Sequence, residues 1–102
     1  MDTVDGYKIL DVLKDITKAG DTFHLSFFKY SRSKNIASAA ITHYTGCRCR
    51  VQMPHDKISI DGANLFLFEA DGTPKMCYKN LIRYVGLPYD NYKPKKVIWY
   101  HE

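Results

Sequence analysis

The chain opens with an apolar period near 3.6. Between Gly6 and Ala19, residues Ile9, Leu10, Val12, Leu13 and Ile16 fall on one face, while Lys8, Asp11, Asp15 and Lys18 take the other. Asp5 is placed to cap the N-terminus, with Thr3 as the alternative, and Gly20 is placed to end the run in a left-handed conformation. This spacing predicts an amphipathic helix over about 6–19. After Gly20 the period falls to two. Phe23, Leu25 and Phe27 alternate with His24, Ser26 and Phe28, which predicts a strand from Thr22 to Tyr30 with one face in a core. The polar link Ser31–Asn35 and the run Ile36–Tyr44 complete a hairpin. Gly46 then predicts a bulge or bend before Cys47–Met53.

Further along, Met53–Asp56 reads as a turn and Lys57–Ile60 as a short strand. Ala63–Ala70 is a strand centred on Leu65, Phe66, Leu67 and Phe68, and Asp71-Gly72 predicts a tight hairpin to Lys75–Tyr78. Asn80–Val85 reads as a short helical turn stopped by Gly86-Leu87-Pro88, Tyr89–Lys96 as a loop, and Val97–Tyr100 as a last strand. No repeat or linker divides the chain, so it is one domain over 1–102, with the helix followed by a β-rich region over about 22–100. The fold class is α+β: one amphipathic helix and a small, mostly antiparallel sheet or SH3-like barrel. The bent hairpin favours the barrel; an open, twisted sheet is the competing arrangement.

Composition narrows the class. With 102 residues, 45% hydrophobic and 14% aromatic, the chain has the apolar content of a folded domain rather than a disordered one. No apolar run approaches the roughly 18 residues of a membrane span. The acidic start, Met1–Asp5, lacks the order of a secretory signal, so the expected setting is intracellular and not membranous. Three cysteines, an odd number, point to a reducing compartment.

The net charge of +4 is unevenly distributed: −2 over residues 1–21, +5 over 22–55, −3 over 56–74 and +5 over 75–101. Distinct positive and negative surfaces follow as an expectation. They would serve head-to-tail assembly of copies or docking of protein partners. Alternatively, a basic, aromatic-rich surface would bind nucleic acid. Solubility alone would also account for scattered charge.

Candidate residues follow from the same pattern. Strand alternation sends Arg48 and Arg50 to one face, exposed side by side and suited to phosphates or carboxylates. Tyr89, Tyr92, Lys93, Lys95 and Lys96 gather around Pro94 as an interface or nucleic-acid surface, whereas Trp99 closes the core. Cys47, Cys49 and Cys77, with His43 or His55, have enough ligands for a Cys3His zinc site, but the spacing is unlike paired zinc knuckles and buried core cysteines are the simpler reading. No cofactor is expected. His24 and His43 are placed to face each other across the hairpin, and Cys49 with His43 is a conceivable nucleophile–base pair. No nucleophile turn, paired carboxylates or phosphate loop is present, so no enzymatic activity is expected.

The run LFLFEADGTPKMCYKNLIRYVGLP, Leu65–Pro88, resembles the hairpin and helical-turn ending of small SH3-barrel-like proteins of Bacteroides-type bacteria, their phages and mobile elements. The opening YKILDVLKDITKAGDTFHLSFFKYSR, Tyr7–Arg32, is similar in manner to small phage proteins of that group. The resemblance covers about half the chain and carries no functional residue across. It implies an accessory or virion structural protein, non-enzymatic, located in the bacterial cytoplasm or incorporated into a virion.

Overall fold

The computed structural model describes residues 2–31, 36–51 and 65–99. The helix α1 spans Gly6–Lys18, and its ends are set by the predicted residues. The Asp5 carboxylate accepts the Tyr7 N–H at 3.3 Å. At the other end, Asp21 N–H bonds Ile16 C=O and Gly20 N–H bonds Thr17 C=O, with Gly20 at φ +85°. This is the paired closure in which glycine takes the left-handed position at no steric cost. Ile9, Leu13 and Ile16 are buried, and Val12 and Leu10 pack at the margin.

Seven strands form one sheet: β1 (Thr3–Asp5), β2 (Phe23–Ser31), β3 (Ile36–Cys49), β4 (Leu65–Ala70), β5 (Thr73–Tyr78), β6 (Ile82–Gly86) and β7 (Lys95–Ile98). Their order is β1-β7-β6-β2-β3-β4-β5, with every pairing antiparallel except β1 with β7. The sheet is open, ending in β1 and β5, and among the described residues no ladder joins β5 to β6. The alternation of β2 explains the layering. Phe23, Leu25 and Phe27 point toward α1 and share a core with Cys47, Phe66, Phe68, Cys77, Ile82, Val85, Leu87, Val97 and Trp99.

Gly46 is the corner of this sheet. It has φ +64°, and a Cβ there would lie 2.9 Å from Asp71 Oδ1. Here β3 gains one residue relative to β2 and passes from pairing with β2 to pairing with β4. The β4–β5 turn places Asp71 and Gly72 at φ 51° and 80°, the twist that lets Ala70 face Thr73. The helix is tied to the same corner: Cys49 N–H donates to Thr17 Oγ1 at 3.0 Å, and that hydroxyl donates to Leu13 C=O.

Several expectations are corrected. Asn80–Val85 is not a helical turn; a 3-10 turn occupies Lys79–Leu81, and Ile82–Gly86 is strand because β2 offers it an antiparallel edge. Tyr89–Lys96 is not all loop: a 3-10 turn covers Pro88–Asp90, and β7 begins at Lys95. The residues read as a cap at the N-terminus include a strand, β1, running parallel to β7. The Met53–Asp56 turn and the Lys57–Ile60 strand lie outside the described residues. Trp99 does close the core, donating its indole N–H to Ile82 C=O at 2.9 Å while Tyr7 meets its ring edge-on. Among the described residues, no helix is long and apolar enough to cross a membrane.

Candidate functional site

Two surfaces carry the candidate side chains, one beside α1 and one on the sheet face turned away from it. Beside α1, the turn Pro88–Asp90 leaves an open groove of about 510 Å³ lined by Val12, Asp15, Ile16, Ala19, Asp21, Pro88 and Tyr89. Tyr89 is 70% exposed. The turn is held from below. Tyr92 N–H bonds Leu87 C=O at 2.9 Å, and Asn91 and Tyr92 both take left-handed conformations that reverse the chain.

The opposite face is set by register. Lys96 pairs with Tyr84, Tyr84 with Ser26, and Ser26 with His43, so these four side chains form one row across β7, β6, β2 and β3. Phe28 and Ile41 pair in a neighbouring row, with the Arg83 guanidinium 5.5 Å from the Phe28 ring. His24 completes the face. Tyr92 stacks on it at 4.2 Å, His43 meets it nearly perpendicular at 5.8 Å, and the Tyr92 hydroxyl lies 3.4 Å from Thr22 Oγ1. Burial holds the His24 pKa below its ordinary value, and the adjacent His43 adds to this.

The predicted meeting of His24 and His43 is therefore present, but the Cys49–His43 pair is not. Cys49 packs against the core, whereas His43 stands on the far face. The nucleophile–base contact that does occur is Ser26 Oγ with His43 Nδ1 at 2.6 Å. An activated serine needs its base oriented by a third group. None of β2, β3, β6 and β7 carries an Asp or Glu to do so. The contact satisfies a buried hydroxyl.

The cysteines sit where the core reading places them. Cys47 and Cys77 are buried and Cys49 half-buried, all with free thiols. Burial pushes Cys47 up to about 12, with Asp71 and Cys49 adding to the shift, and burial also raises Cys77 and Cys49. His43 lies on the opposite face from Cys47, and His55 lies outside the described residues. Among the described residues, no three metal-ligating side chains converge.

The basic candidates separate. Arg48 is exposed and directly opposite Glu69 on β4. Arg50 departs from the expected exposed pair: its guanidinium donates to Phe68 C=O and Lys75 C=O, both at 2.9 Å, and to Val51 C=O at 3.2 Å. It fastens the β4–β5 hairpin to the end of β3. Lys95 is likewise engaged, in ion pairs with Asp90 and with Asp2, the latter at 3.8 Å, and the Asp90 bond raises its pKa. Lys93 and Lys96 are exposed. The acidic N-terminal segment is less acidic as a surface than its sum implies, because Asp5 caps α1 and Asp2 meets Lys95.

Two features escaped the sequence reading. The acid-free block of four adjacent strands becomes visible only once the strand order is known. The Lys96–Tyr84–Ser26–His43 row depends on register that no local pattern specifies. Comparison with known protein families, curated proteins and solved structures finds no match to this chain.

Proposed function

We propose that the protein is a non-enzymatic interaction module that assembles with copies of itself through the groove beside α1. The observation that carries this reading is Tyr89, 70% exposed against an apolar floor of Val12, Ile16, Ala19 and Pro88. A tyrosine buries a large area on docking at low conformational cost and keeps a polar tip for the rim. The groove is open, suited to a protruding segment of protein, and Asp15 and Asp21 at its margin would accept a cation from the incoming surface.

An SH3-like arrangement of β2–β6 belongs to the same reading. The order β6-β2-β3-β4-β5, the corner at Gly46 and the 3-10 turn between β5 and β6 support it. With the likeness of Leu65–Pro88 to small phage and mobile-element proteins, an accessory or virion role, in the bacterial cytoplasm or the particle, is the biological setting proposed. Fold alone does not fix such a role.

Light scattering coupled to size exclusion tests the assembly. The expected result is a mass above the 11.8 kDa of one chain that rises with concentration. Tyr89→Asp and Asp15→Lys should each return it to the single-chain value. A mass of one chain at every concentration, or assembly indifferent to both substitutions, would overturn the proposal.

A further inference from the structure

We propose that the sheet face turned away from α1 binds single-stranded nucleic acid, with Arg83 and Lys96 contacting phosphates and Tyr84 and His43 offering ring surfaces to bases. The argument begins with charge. Strands β7, β6, β2 and β3 are consecutive neighbours in the sheet, and together they contain Lys29, Arg48, Arg83, Lys95 and Lys96 and no carboxylate. The nearest acids answer two of these cations, Glu69 standing opposite Arg48 and Asp90 and Asp2 pairing with Lys95, so the charges this face offers a ligand are Arg83 and the exposed Lys96.

The second part is shape. The helix covers the other side of the sheet, leaving this face as a pleated platform whose row Lys96–Tyr84–Ser26–His43 runs across four strands. Ser26 is the small, buried floor of that row, flanked by Tyr84 and His43. Rings set beside cations suit a splayed strand, since every base has a π-face and every linkage a charge. Duplex recognition would instead ask for a protruding helix or ribbon to enter a groove. Ile41, 46% exposed beside Phe28, extends the apolar part of the platform. The site differs from the basic candidates read from sequence, of which Arg50 and Lys95 are already engaged.

Fluorescence anisotropy with labelled oligo-dT and oligo-U of roughly 12 nucleotides tests the assignment. For these two phosphate contacts, a fourfold rise in salt should weaken binding about sevenfold. Lys96→Glu and Arg83→Ala should each flatten that salt dependence, and Tyr84→Ala should weaken binding about tenfold. Lys8→Glu makes the same charge change as Lys96→Glu, but on the helix side, and should leave the salt slope intact. Binding of either oligonucleotide with this pattern supports the proposal, and the DNA and RNA arms show which sugar is preferred. No binding at low salt, or equal losses from Lys8→Glu and Lys96→Glu, overturns it. Circular dichroism of each variant verifies the fold, and exposed Lys96 keeps the test independent of any destabilisation from Tyr84→Ala. Assembly measured by light scattering reports on the Tyr89 groove, so either proposal can fail alone.

Discussion

Gly6→Ala is a substitution for which helix propensity and packing predict opposite signs. In an exposed helix interior, alanine is more favourable than glycine by about 1 kcal/mol. Here, however, a Cβ on Gly6 would lie 2.4 Å from Trp99 Cε3 and 2.5 Å from Cδ2, far inside van der Waals contact. The indole cannot readily give way, because its N–H is bonded to Ile82 C=O and Tyr7 packs edge-on against it. Overpacking of this kind costs about 1–3 kcal/mol, enough to outweigh the propensity gain. For a domain near this size, the net loss, up to about 2 kcal/mol, lowers the melting temperature by up to roughly 15 °C. Urea unfolding followed by circular dichroism measures it directly. A double-mutant cycle with Trp99→Leu isolates the cause, since with the indole gone Gly6→Ala should become neutral or stabilising. If Gly6→Ala alone matches or exceeds the wild type in stability, the packing argument is wrong.

Three further outcomes are expected. Because the folded pKa of His24 lies below its ordinary 6.5, the unfolded chain binds protons first, so this contribution is intact above about pH 6.5 and declines as pH falls below it; melting between about pH 7.5 and about pH 5 should show the loss, and His24→Asn should reduce it. Iodoacetamide followed by mass spectrometry at neutral pH should label half-buried Cys49 before Cys47 and Cys77, whose buried thiols resist ionisation; faster labelling of Cys77 would contradict the packing. Arg50→Met should cost about 2 kcal/mol in urea unfolding by leaving the carbonyls of Phe68 and Lys75 without their charged donor, and Arg50→Lys should not restore it, since an ammonium lacks the fork; full rescue by lysine would refute that role.

The elements written in local chemistry were legible in the sequence. The helix bounds follow from Asp5, Gly20 and the spacing of Ile9, Leu13 and Ile16, and the β4–β5 hairpin from Asp71-Gly72. Elements that depend on a distant partner were not. Leu81, Ile82 and Val85 follow a helical spacing, and Ile82 and Val85 share the core side of a strand only because the pairing with β2 shifts register between Ile82 and Tyr84. Three residues at β1 carry too little pattern to announce a strand whose partner lies at the far end of the chain. Arg48 and Arg50 share a parity, yet Arg50 stands just past the end of β3, where its guanidinium can reach the carbonyls of the neighbouring hairpin. Of the proposed surfaces, Tyr89 was readable from its proline-bearing loop, while the Lys96–Tyr84–Ser26–His43 row required the strand order.

The parallel pairing of Thr3–Asp5 with Lys96–Ile98 has a consequence for synthesis. During translation the opening strand has no ladder to join until the last strand has cleared the ribosome, and Gly6 likewise waits for its indole neighbour. The nascent chain must therefore carry the greasy stripe of its helix against an incomplete sheet until Lys96–Ile98 have emerged. Pulse-labelled hydrogen exchange should find the amides of β2–β5 protected first and those of β1 and β7 last, closing the molecule like a clasp.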